Sequence, residues 1–121
     1  MIISTSSHNV LLTDDICAYV ESCMCKSFGR LADRVMSVDA RLEAVRRTRD
    51  RNKMRVAVRV DLRDHRTLVT EISDDNLYAA IRRGANDSAR STGRLLQRSR
   101  EVVGRRPGKA ISFDRYSTAN I

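Results

Sequence analysis

At 121 residues the chain has the size of one domain, large enough to bury a single hydrophobic core. Its formal charge of +8 is unevenly placed: residues 1–76 carry 13 basic and 12 acidic side chains, whereas residues 77–121 carry 10 and 3. No apolar run approaches the ~20 residues of a membrane span, and three cysteines, an odd number, disfavour a disulfide framework and suit a reducing cytoplasm.

Ile2 to Ser6 is a short strand candidate, followed by a connection from His8 to Leu12. Thr13 is placed to cap a helix, with Asp14 and Asp15 in its first turn where carboxylates favour the helix dipole. Ile16, Val20, Met24, Phe28 and Leu31 then recur at helical spacing. Lys26, Arg30 and Arg34 recur four apart on a different face, with Arg34 near or past the helix end. Beyond it the period falls to two. Met36, Val38, Ala40, Leu42 and Ala44 predict one half-buried strand, and Met54, Val56, Val58, Val60 and Leu62 a second. Leu68, Thr70 and Ile72 predict a third, with Arg46–Lys53 and Arg63–Arg66 as hairpin loops.

Asn76 is a good cap for a final helix running from Leu77 to Val103. At about 100° per residue, Ile81, Ala85, Ser88, Thr92, Leu95, Leu96, Ser99 and Val103 fall on one side of it, and Arg83, Arg90, Arg94 and Arg98 on the other. The first side needs a protein surface to cover it. The second is a row of planar, forked donors suited to phosphate. Gly104 and Pro107 end the helix, leaving a basic tail over 104–121 that is expected to be loosely ordered without a partner.

The sum is an α+β domain over residues 1–103 with the order βαβββα, an antiparallel sheet wet on one face and two helices on the other, as in double-stranded-RNA-binding domains. The strands contain no aromatic residue, which argues against base stacking on the sheet and for recognition of structured RNA through phosphate and shape. Tyr78 is expected in the core with its hydroxyl at the rim. Cys23-Met24-Cys25 is too tightly spaced for a zinc pair, and Cys17 or Cys23 is expected to serve as a small packing residue instead. No hydrolase or nucleotide-binding motif occurs, so neither an enzyme nor a cofactor is expected.

Three local strings appear in the same order as in a known family. Ser6-Ser7-His8-Asn9-Val10 is similar to its Ser-Gly-Arg-Asn-Val, Asp33-Arg34-Val35 to its Asp-Arg-Ile, and Asn76-Leu77-Tyr78-Ala79-Ala80-Ile81 to its Asp-Met-Tyr-Ala-Ala-Ile. On these the chain resembles a divergent short form of the ribosome hibernation-promoting factors, also called ribosome-associated inhibitors or sigma-factor modulation proteins. The resemblance implies a cytoplasmic, translation-inhibiting protein seated in the decoding region of the small ribosomal subunit, without chemistry. It implicates Lys26 and Arg30 on the first helix and Arg90, Arg94 and Arg98 on the second, with His8 where the family often carries a basic residue. Arg82 and Arg83 replace a pair that is commonly acidic and apolar. Ser88 and Thr92 stand where the family is usually large and apolar, and Gly84 and Gly93 interrupt the helix. A generic structured-RNA binder and a protein-interaction regulator on the same fold remain alternatives, and a homodimer is left open.

Overall fold

The computed structural model describes residues 1–46 and 52–101. Its elements are β1 (Ile2–His8), α1 (Asp14–Phe28), a single 3-10 turn η1 (Gly29–Leu31), β2 (Val35–Arg46), β3 (Asn52–Leu62), β4 (Thr67–Asp74) and α2 (Leu77–Glu101). The order βαβββα is thus as expected, with β1 two residues longer and the last turn of the first helix tightened into η1. The centre of the charged loop between β2 and β3, Val103 and the tail at 104–121 lie outside the described residues.

The four strands stand in the order β1-β2-β3-β4. β2, β3 and β4 pair antiparallel as predicted, but β1 pairs parallel to β2, with Ile2 opposite Ser37 and His8 opposite Glu43. The sheet is therefore mixed. The reason is α1: a helix carrying the chain back along the sheet between two neighbouring strands returns it in the original direction.

Val20, Met24 and Phe28 of α1, Val38, Ala40 and Leu42 of β2, Val56, Val58 and Val60 of β3, and Ile81 and Ala85 of α2 are all at most 1% exposed. Both helices thus cover the same face. At the start of β2 the expected alternation fails. The register shifts between Val35 and Ser37, so Met36 is an extra residue opposite no partner. Val35 consequently takes the buried position while Met36 is 41% exposed.

Local chemistry accounts for the ends of these elements. The Thr13 hydroxyl accepts the backbone N–H of Ile16 at 3.2 Å, and the Asn76 side chain accepts that of Ala79 at 3.1 Å, capping both helices. The β3–β4 hairpin closes through Leu62 N–H to the Arg66 carbonyl at 2.8 Å, with His65 in the left-handed region at φ 74°. That is the three-residue loop whose third residue must turn left-handed.

The two helical glycines have different roles. A Cβ on Gly84 would meet Val56 Cγ1 and Val58 Cγ2, each at 3.3 Å, so the missing side chain lets α2 seat directly on β3. A Cβ on Gly93 would meet only Leu31 Cδ1, at an ordinary 4.0 Å. Gly93→Ala is therefore expected to stabilise the fold by about 0.5–1 kcal/mol, the usual glycine deficit inside a helix. Gly84→Ala is expected to destabilise, because both valines are fully buried and their branched side chains have little freedom to yield. Urea midpoints for the two variants moving in the same direction would contradict this distinction.

Candidate nucleic-acid interface

Three contacts set the relative direction of the helices. Tyr19 meets Tyr78 edge to face with ring centroids 4.9 Å apart, the Ser27 hydroxyl donates to Asn86 Oδ1 at 3.0 Å, and Leu31 lies against Gly93. Position advances together along both chains, so α1 and α2 run parallel, and both carry their basic residues toward the same end of the sheet. Tyr78, 43% exposed, is a lid on the opposite end rather than the core residue expected from sequence. Its ring packs edge to face on Tyr19.

Between the carboxyl-terminal part of α1, η1 and the following turn on one side, and α2 on the other, lies an open groove of about 1020 Å³. Arg30 and Arg34 line it from the first side and Arg90 and Arg94 from the second, with Ala89 and Gly93 among the small residues between them. Arg34 is fixed by its backbone: its N–H bonds the Leu31 carbonyl at 2.9 Å, and its carbonyl accepts Arg63 N–H at 3.0 Å. Among the described residues no carboxylate forms an ion pair with Arg30, Arg34 or Arg94. Arg90 reaches only Asp87, at 4.0 Å across one turn of an exposed helix face, a pair of little energetic weight. The Asp64 carboxylate acts on Arg34 from a longer range, so compensation is partial, and four concentrated cations still favour an anion.

The structure sorts the remaining sequence-derived residues away from the groove. Lys26 is exposed in the last turn of α1 but does not line it. Arg82 and Arg98 are exposed on α2, one before and one beyond it. Arg83 is engaged with β4: its Nη1 lies 3.0 Å from Asp74 Oδ2. The Asp74 carboxyl is held below the usual carboxylate range, first by the backbone N–H of Asn76 and then by Arg83. His8 ends β1 on the face away from the helices, opposite Glu43, at the other end of the sheet. Arg34, by contrast, belongs to the groove although its helical spacing stops short of justifying it. The signal in the sequence was the four-residue recurrence from Lys26, and η1 is what brings its last member round.

The Asp64 carboxyl, in the hairpin that binds the Arg34 carbonyl, is also held low, mainly by a hydrogen bond from the Arg66 side chain whose Nε lies 2.9 Å away. Cys23 is buried as a packing residue, Cys17 half-buried and Cys25 exposed. Among the described residues no three potential ligands converge on a metal position, and no helix is long and apolar enough to cross a membrane.

With this geometry in place, the comparisons with known proteins converge. The model of the family described as Sigma 54 modulation protein / S30EA ribosomal protein matches residues 3–99, spanning β1 to nearly the end of α2. The chain belongs to that family. Family membership makes this a ribosome-associated modulation protein by class. Among solved structures, the family member is similar to the N-terminal domain of Protein Y from Thermus thermophilus, with 27% identity and a TM-score of 0.66, covering 78% of this chain and 99% of that one. A ribosomal subunit interface protein from Coxiella burnetii shares the fold at 13% identity and a TM-score of 0.66, covering 80% and 99%. No curated protein matches by sequence.

Proposed function

We propose that this family member binds the RNA of the small ribosomal subunit in the decoding region and silences idle ribosomes by occupying that site. The observation that supports it best is the convergence of Arg30 and Arg34, from η1 and the turn after it, with Arg90 and Arg94 of α2 onto one groove. Phosphate oxygens in structured RNA match the forked donors, and no aromatic residue stands in the strands to stack single-stranded bases. Arg82, Arg98 and Lys26 extend the positive field on either side, while His8 faces elsewhere and contributes only if the ribosome wraps the sheet edge. Inhibition needs no chemistry, because excluding messenger and transfer RNA from the site is sufficient.

The test is sedimentation of the purified chain with small ribosomal subunits across a salt series. Stoichiometric binding at low salt is expected, with affinity falling as a power of salt concentration. Four to six phosphate contacts correspond to a log–log slope of about −3 to −5. Equal affinity for a plain RNA duplex would favour a generic double-stranded-RNA binder. Absence of binding at low salt would leave a regulator that kept the fold alone.

A further inference from the structure

We infer that the groove between α1–η1 and α2 is also a binding site for a compact oligophosphate, such as the phosphate chain of a free nucleoside polyphosphate. This rests on the reading of the groove as a phosphate site, and adds that a small ligand fits it without a macromolecular framework. The exposed row on α2 and the groove differ in shape. Arg98 stands beyond the groove on an open helix face, and Arg83 at the other end of the row is tied to Asp74. Arg30, Arg34, Arg90 and Arg94 instead border a concavity, the first two from η1 and the turn after it and the last two from α2.

The concavity itself comes from small side chains. Gly93 has no Cβ and Ala89 only a methyl, so α2 is low at these two positions, with Leu96 and Gln97 lining the groove beyond them, and Leu31 lies against Gly93 across the floor. Ser27 and Asn86, hydrogen-bonded to one another, join the two helices along the lining. At about 1020 Å³ the groove lies just above the range of small-molecule clefts, roughly 300–1,000 Å³. Four guanidinium groups also match the four or so negative charges of a short phosphate chain near neutral pH. Arg30 and Arg94 enter such a complex without first giving up an ion pair among the described residues, and Arg34 gives up only a longer-range attraction to the Asp64 carboxylate.

The experiment is calorimetric titration of the full chain with inorganic tripolyphosphate in magnesium-free buffer, alongside three variants. Gly93→Leu fills the floor without touching any charge, and leucine has the better helix propensity, so the fold is retained, as thermal unfolding verifies. Arg34→Ala removes one groove charge, and Arg98→Ala removes one charge outside it. Saturable one-site binding is expected, weakened about tenfold or more by Gly93→Leu and by Arg34→Ala and less than about threefold by Arg98→Ala. Non-saturable binding, Gly93→Leu binding like the parent, or equal losses in Arg34→Ala and Arg98→Ala would overturn the inference in favour of diffuse charge attraction. Sedimentation with small subunits is read separately. Ribosome binding without tripolyphosphate binding refutes the small-ligand site alone, and tripolyphosphate binding without ribosome binding upholds it while refuting the ribosomal reading.

Discussion

The double substitution Arg90→Glu with Arg94→Glu is expected to abolish association with small ribosomal subunits while leaving the fold intact. Both side chains are exposed on α2, and the only described partner of either is Asp87, 4.0 Å from Arg90. Glutamate is as good a helix former as arginine, so the change has little intrinsic cost to α2. At the interface each arginine stands for a charge-assisted phosphate contact of about 1.5–3 kcal/mol, and the reversal adds repulsion to the loss. Affinity should therefore fall by about 10²–10⁴-fold, and the salt dependence should flatten by roughly two contacts. Sedimentation reads the first effect, and circular dichroism with urea unfolding checks the second half of the claim. Retained stoichiometric binding by a folded double variant would remove the groove from the ribosomal interface. Arg30→Glu with Arg34→Glu should produce a comparable loss, because those residues face the same groove from η1 and the turn after it.

The arginine row on α2 is legible in the sequence because an uninterrupted helix converts spacing into direction with little error. Ile81, Ala85, Ser88, Thr92, Leu95 and Leu96 are all buried as the period requires, and Arg90, Arg94 and Arg98 are all exposed. Where the backbone departs from a regular element the same arithmetic fails. Arg34 follows Lys26 and Arg30 at a helical interval, but it reaches the groove only because η1 and the Leu31–Arg34 turn redirect the chain there. The bulge at Met36 reverses one position in an otherwise correct alternation, since a single extra residue exchanges the two faces of a strand. The parallel pairing of β1 depends on the crossover through α1, and alternation along β1 reads the same in either direction. Tyr78 stands at the first turn of α2, at the open end of the helix pair, where Tyr19 is available as a partner. Arg83 lies on the right face of α2, but Asp74 at the end of β4 already engages it, a contact visible only after folding.

Ser88 and Thr92, two hydroxyls on the buried face of α2, are not equivalent, and this yields the largest expected gain in stability. Both are fully buried. The Ser88 hydroxyl donates to the Ala85 carbonyl at 3.1 Å, whereas Thr92 Oγ1 has no hydrogen-bond partner. A buried hydroxyl without a partner has given up its water and gained nothing, at a cost of about 1–3 kcal/mol. Thr92→Val retains the branched shape and nearly the same volume while replacing the hydroxyl with a methyl that the surrounding core accepts. Its packing neighbours therefore need not move, and the helix propensities of threonine and valine are close. Stability should rise by about 1–2 kcal/mol, which for a domain of this length raises the melting temperature by about 4–12 °C. Ser88→Ala, in contrast, should be close to neutral, since it removes a satisfied bond together with the group that needed it. If calorimetry shows Thr92→Val no more stable than the parent while Ser88→Ala is stabilised, the polar defect in the helix lies at Ser88 instead. A gain from Thr92→Val with unchanged ribosome association would further show that the defect is not needed by the arginine face, from which Thr92 is separated by the width of the helix.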